Sequence, residues 1–171
     1  MRELYFNSQL IHQAQKWAED LGELDNSITK GKGNLAGRVG ELAFARYLGV
    51  VLLDMKDYDL TYKGENLEVK TKRRTVAPLP HYDVSIAATS AHQRPDRYVF
   101  ISLEFERKRG RSYYGLQKIW LVGDMAADEY FKKAHKYTKG IYTGSNKFLT
   151  LADMWNRPIS NLDQSFQSLS G

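Results

Sequence analysis

Apolar residues near the N-terminus recur three or four positions apart, at Leu10, Ala14, Trp17 and Leu21, which predicts a helix over residues 8–24. Residues 25–34, with Gly31 and Gly33, read as a loop. Asn34 is placed to cap a second helix over 35–48, which stops at Gly49. The short apolar run 50–53 reads as a buried strand. Period-two alternation then takes over. Residues 58–62 and 67–72 alternate on either side of Lys63-Gly64-Glu65-Asn66, which predicts a hairpin. Pro78 and Pro80 mark a loop, 83–87 reads as a short strand, and 97–106 as a long one with Val99, Ile101, Leu103 and Phe105 on one face. After a basic turn around Gly110, the pattern predicts a strand over 113–122, a helix over 126–137 and a last strand over 148–151. This order of elements, in 171 residues without repeats, predicts a single α/β or α+β domain.

Two elements carry residues that their pattern does not explain. Stepping 100° per residue along the second helix, Leu35, Val39 and Leu42 cover one side, and Gly37, Phe44, Ala45 and Leu48 the other. The helix is therefore apolar almost all round, yet Glu41 lies in it. A carboxylate there must be paired, protonated or bound to a metal, because an unpaired buried charge is costly. Gly37 and Gly40 each lower helix propensity by about 1 kcal/mol against alanine, which points to close packing at those positions.

In the hairpin, Glu68 and Lys70 share one face of their strand and Leu67 and Val69 the other. If the four-residue turn closes symmetrically, Tyr62 pairs with Leu67, Thr61 with Glu68 and Asp59 with Lys70. Asp59 and Glu68 are then diagonal neighbours about 7–8 Å apart at the backbone, able to reach one cation. A one-residue slip of register would destroy the arrangement.

The chain holds no cysteine, which excludes disulfides and thiolate zinc sites, and its four histidines lack ligand spacing. Hard oxygen ligands of this kind suit Mg²⁺, or Mn²⁺, which neutralises and polarises a phosphate and lowers the pKa of a bound water. An ammonium such as that of Lys70, set among carboxylates and a metal, orients an attacking water or stabilises a developing oxyanion. Glu41, Asp59, Glu68 and Lys70 are thus the candidate catalytic set for phosphodiester hydrolysis.

Charge agrees with such a substrate. The formal net charge is +5 and the isoelectric point about 9.3. The basic residues cluster at Lys70, Lys72, Arg73 and Arg74, at Arg107, Lys108, Arg109 and Arg111, and at Lys132, Lys133, Lys136 and Lys139, the last at a spacing that suits one helix. Any one cluster reads as a solvated face; three beside a carboxylate centre shift the balance toward phosphate contacts. Tyr113, Tyr114, Trp120 and Trp155 are read mostly as core, with base stacking as the alternative. No apolar run approaches a membrane span, and the N-terminus has no continuous apolar stretch, so a cytoplasmic protein without membrane contact is expected.

Asp59, followed by Glu68-Val69-Lys70 on a hairpin and preceded by Gly37-Arg38-Val39-Gly40-Glu41 on a helix, resembles the PD-(D/E)XK nuclease superfamily, which includes restriction endonucleases, Holliday-junction resolvases and exonucleases. The resemblance spans residues 35–103 and includes Asp96-Arg97-Tyr98-Val99-Phe100 as the next core strand; the motif-bearing core extends over about 35–106. It implies a restriction-endonuclease-like core, a central mixed sheet flanked by helices. It further implies Mg²⁺ held by Asp59, Glu68, the Val69 carbonyl and Glu41, the last as the helix acid of many members, with Lys70 as the water-positioning lysine. Gln93 is similar to a glutamine that some members place after the core strands, and with Lys72, Arg73 and Arg74 it is assigned to DNA contact. Tyr58 stands where the family's name pattern has proline, and Asp57 competes with Asp59 for the ligand role.

The expected activity is DNA hydrolysis, with an endonuclease of structure-selective or weak specificity slightly favoured and a homodimer compatible with cutting two strands. The alternatives are an exonuclease of the same superfamily, a non-catalytic nucleic-acid-binding module with the same fold, and a purely structural ion-pair network. Acids facing phosphates weaken a pure binder unless a cation intervenes, which argues against the binding module.

Overall fold

The alternation of Val99, Ile101, Leu103 and Phe105 against Tyr98 and Phe100 puts the strand Arg97–Phe105 at the centre of a five-stranded mixed sheet, buried on both faces. The computed structural model describes residues 1–21, 34–53, 55, 57–106, 115–143 and 149–168. The predicted loop with Gly31 and Gly33, the basic cluster 107–111, Tyr113, Tyr114 and Phe148 lie outside the described residues. The elements are β1 (Arg2–Leu4), α1 (Ser8–Leu21), α2 (Asn34–Leu48), β2 (Leu60–Tyr62), β3 (Glu65–Arg74), β4 (Asp83–Ala87), β5 (Arg97–Phe105), β6 (Leu116–Ala126), α3 (Ala127–Lys133), β7 (His135–Tyr137) and β8 (Met154–Pro158). This is an α+β arrangement.

The main sheet runs β1-β6-β5-β3-β2, with β3 and β5 parallel and every other pair antiparallel. A parallel pair needs a crossover. Here that connection carries β4, which joins an antiparallel second sheet, β4-β8-β7. One face of the main sheet, with Leu67, Val69, Val99, Ile101 and Leu103, packs on α1 and α2 through Leu10, Ala14, Val39 and Phe44. The other face, with Tyr98, Phe100 and Val122, packs on Val84 and Ile86 of β4 and on Tyr130 of α3. Each fully buried side chain of this size contributes about 1.5–3 kcal/mol. Trp155 packs edge-on against Phe131 at 5.7 Å, and the Trp120 indole N–H donates to Glu104 at 2.7 Å, so both tryptophans serve packing and internal bonds.

Helix α2 is buried along Ala36, Val39, Leu42, Ala43, Phe44 and Ala45, as its pattern predicts. It ends in a Schellman motif: Val50 N–H donates to the Ala45 carbonyl at 3.0 Å and Gly49 N–H to that of Arg46 at 3.2 Å, with Gly49 at φ 69°. Gly40 is where α2 touches β3. A Cβ at Gly40 would run into the side chain of Thr71, so this glycine lets helix and sheet approach.

Four expectations need correction. Residues 50–53 join neither sheet; Val51 is 79% and Leu53 47% exposed, and the segment's link to the hairpin is the Leu53 N–H, which donates to the Asp59 carbonyl at 2.8 Å. The hairpin pairs Leu60 with Leu67 and Tyr62 with Glu65, because the turn is two residues, Lys63-Gly64, both at positive φ (50° and 86°). Such a turn matches the twist of paired strands better than the four-residue turn expected. The predicted helix 126–137 stops at Lys133, since Ala134 is extended and 135–137 pair with β8. Lys132 and Lys133 therefore end a helix, Lys136 lies on a strand and Lys139 in a turn, so they do not share one helix. The predicted strand over 148–151 amounts to an isolated bridge between Leu149 and Tyr142. No helix among the described residues is long and apolar enough to cross a membrane.

Candidate functional site

The hairpin's last backbone rung is Asp59 N–H donating to the Leu67 carbonyl at 2.9 Å. Beyond it the chain that precedes β2 leaves β3, and the Asp59 side chain takes over: Oδ2 accepts from the Val69 N–H at 2.7 Å. Continuing the observed register puts Asp59 level with Glu68 rather than with Lys70. The shift from the expected register is two residues, an even number, so Asp59, Glu68 and Lys70 keep their faces. Asp59, not Asp57, is the acid whose described bond reaches β3.

Glu68 and Lys70, two apart on β3, form an ion pair of 2.7 Å with side chains 8% and 19% exposed. Gln93, from the loop before β5, closes the set. Its Oε1 accepts from the Lys70 ammonium at 2.8 Å, and its Nε2 donates to Glu68 Oε1 at 2.9 Å. Below them lies Tyr98, in register with Glu68 on the parallel strand β5, its ring 5.9 Å from Lys70 Nζ. The Tyr98 phenol is buried, makes no hydrogen bond among the described residues, and is pushed up to about 12 by burial and by Glu68. Glu41 reaches the region from α2, paired with Arg38 one turn back at 3.3 Å. The Arg38 guanidinium in turn stacks 4.5 Å from the Trp17 ring. Arg38 is the partner that a buried helix acid required, and its i,i+3 spacing was the available signal.

Electrostatics single out Asp59. Burial pushes its carboxyl up to about 8, Glu41 and then Glu68 push the same way, and the Val69 N–H and Lys70 pull back. Three acids thus repel one another around one lysine. The second oxygens of Asp59 and Glu68 make none of the described hydrogen bonds. In a strand a residue's N–H and C=O point to the same edge, so the Val69 carbonyl turns to the side where Asp59 lies. A hard divalent cation fits this donor set in charge and chemistry. Among the described residues, however, no three acidic or imidazole groups stand at ligand spacing: Glu68 turns to Lys70 and Gln93, and Glu41 to Arg38.

The residues assigned to DNA contact separate. Gln93 belongs to the centre. Lys72 and Arg74, on the face of Glu68 and Lys70, point at β4: Lys72 donates to the Asp83 carbonyl at 3.2 Å and Ser85 Oγ at 3.3 Å, and Arg74 to the same carbonyl at 2.9 Å. Burial, and then the neighbouring Arg74, lowers the Lys72 ammonium to about 8. Arg73 lies on the opposite face, over the Phe105 ring at 5.4 Å. All four histidines are exposed. Compared with protein-family models, with curated proteins and with solved structures, the chain matches none of them.

Proposed function

We propose that this chain is a metal-dependent deoxyribonuclease built on a restriction-endonuclease-like core of the PD-(D/E)XK type. The observation that carries the reading is the hydrogen bond from Val69 N–H to Asp59, which brings that acid level with the Glu68–Lys70–Gln93 cluster. A structural ion pair needs no second and third acid beside it; a site that handles a phosphate and a cation does. Asp59, Glu68 and the Val69 carbonyl are the residues that would hold Mg²⁺ or Mn²⁺, with Glu41 near enough to act on Asp59 electrostatically. When bound, the ion supplies charge neutralisation at the phosphate and a more acidic water.

The chain's own groups do the positioning. Lys70, fixed by Glu68 and Gln93, presents an ammonium to the attacking water or the non-bridging phosphate oxygen, where fixed donors are most effective as charge develops. Burial, Glu41 and Glu68 raise the Asp59 carboxyl in the metal-free chain, and a bound cation would hold it as the carboxylate. The basic balance of the chain favours a polyanion and the resemblance makes that polyanion DNA, with endonucleolytic cutting by a homodimer as the working form.

The closed pairing of Glu68 with Lys70 and of Glu41 with Arg38 favours a second reading, a nucleic-acid-binding module without catalysis. Incubation with supercoiled plasmid, linear duplex and branched DNA in Mg²⁺, Mn²⁺ or chelator separates the two. Metal-dependent cutting supports the nuclease and its substrate preference divides endonuclease from exonuclease; binding without cutting supports the module.

A further inference from the structure

A cleft of about 220 Å³ opens beside Lys70, between the main sheet and the second sheet. Lys70 and Lys72 line it on β3, Val84 and Ser85 on β4, with Phe100 and Met154 as its apolar walls. It shares Lys70 with the centre described above and continues away from it along β3. Glu68, Lys70 and Lys72 occupy successive positions on one face of that strand, so each step advances about 6.6 Å, close to the spacing of successive phosphates along an extended polynucleotide.

We propose that this cleft is a nucleotide subsite, in which Lys72 and the Ser85 hydroxyl hold the phosphate adjacent to the one at Lys70 and the sugar lies against the half-buried Met154. The inference rests on the nuclease reading and adds a path for the substrate strand. Ser85 Oγ accepts from Lys72 at 3.3 Å, and so keeps its own hydrogen to donate. The cleft's size admits one sugar-phosphate of one strand. Lys72 and Arg74 both hold the Asp83 carbonyl, which fixes β4 as the far wall.

The test uses a fluorescein-labelled single-stranded DNA oligonucleotide, titrated by anisotropy in Ca²⁺ with the full chain, alongside plasmid cutting in Mg²⁺. Ser85→Leu fills the cleft and is expected to weaken binding about tenfold, while Ser85→Ala, which only removes the donor, weakens it a fewfold. Lys72→Gln is expected to flatten the slope of log Kd against log salt by about 0.7, one phosphate on a single strand. A strut between sheets would leave that slope unchanged. Ser85 variants of unaltered Tm that bind as wild type does, with an unchanged slope for Lys72→Gln, overturn the subsite even if the wild type cuts DNA. A wild type that never cuts, yet loses oligonucleotide affinity on Ser85→Leu, overturns the nuclease and keeps the subsite as a binding site. A wild type that does not bind the oligonucleotide overturns the subsite outright.

Discussion

The Val69 backbone N–H donates to the Asp59 carboxylate at 2.7 Å, so the acid that opens the hairpin is held by the strand that carries Glu68 and Lys70. This one bond replaces the next rung of the ladder and sets where the candidate site begins. It also ties the site to an unfavourable charge. The Asp59 carboxyl is pushed up to about 8 by burial and by Glu41 and Glu68, against an ordinary value of 3.8.

That shift has a sign. Between about pH 4 and pH 8 the unfolded chain gives up the Asp59 proton while the folded chain keeps it, so the metal-free protein loses stability as pH rises through this window. Asp59→Asn removes the dependence, and its amide oxygen still accepts from Val69. Thermal melts in chelator are expected to show the variant melting above wild type at pH 8 and no higher than it at pH 5. Adding Mg²⁺ at pH 8 should raise the wild-type Tm and leave the variant's in place. Parallel curves for the two proteins at both pH values would remove Asp59 as the strained acid.

Gln93 touches both members of the Glu68–Lys70 pair and holds them in one orientation. Gln93→Ala leaves the ion pair but frees the ammonium to wander. If Gln93 positions Lys70, kcat for DNA cutting falls by about tenfold or more while KM stays within a factor of two, since misplacement of a reacting group is felt in the transition state. A raised KM at unchanged kcat would instead mark Gln93 as a simple DNA contact.

The contact of Gly40 with Thr71 makes α2 a fixed platform for Glu41. Gly40→Ala gains about 1 kcal/mol in helix propensity but drives a methyl into Thr71. Overpacking of this kind costs about 1–3 kcal/mol, so the expected net effect is a Tm lowered by a few degrees. Thr71→Ala in the same chain should restore most of the loss. A single Gly40→Ala variant that melts higher than wild type would show that helix and strand have room to part.

The faces of the candidate residues were legible because parity survives a two-residue error of register: Asp59, Glu68 and Lys70 stay on their expected sides although Leu60, not Tyr62, pairs with Leu67. The anomaly of Glu41 in an apolar helix was equally visible, and its pairing with Arg38 is one of the outcomes it required. The register itself was hidden by Glu65 and Asn66, polar residues that read as turn but open β3. Strands β1, β7 and β8 were not legible at all. They are three to five residues long, and their order comes from partners far away in the chain, such as Arg2 with Leu121 and Asn156 with Ser85. Without β8 there was no second sheet, and hence no reason to see Ser85 facing Lys72.

The central claim is tested most directly by Lys70→Ala on supercoiled plasmid DNA in Mg²⁺, with chelator as the control. Glu68 keeps the Gln93 amide as a donor in this variant, so the fold is expected to persist, and a melting curve checks that it does. The account predicts that wild type cuts only when metal is present, and that the variant still binds DNA but cuts about 10²–10³-fold more slowly, the cost of losing one transition-state donor. Equal cutting by both proteins, or cutting by wild type in chelator, would contradict it.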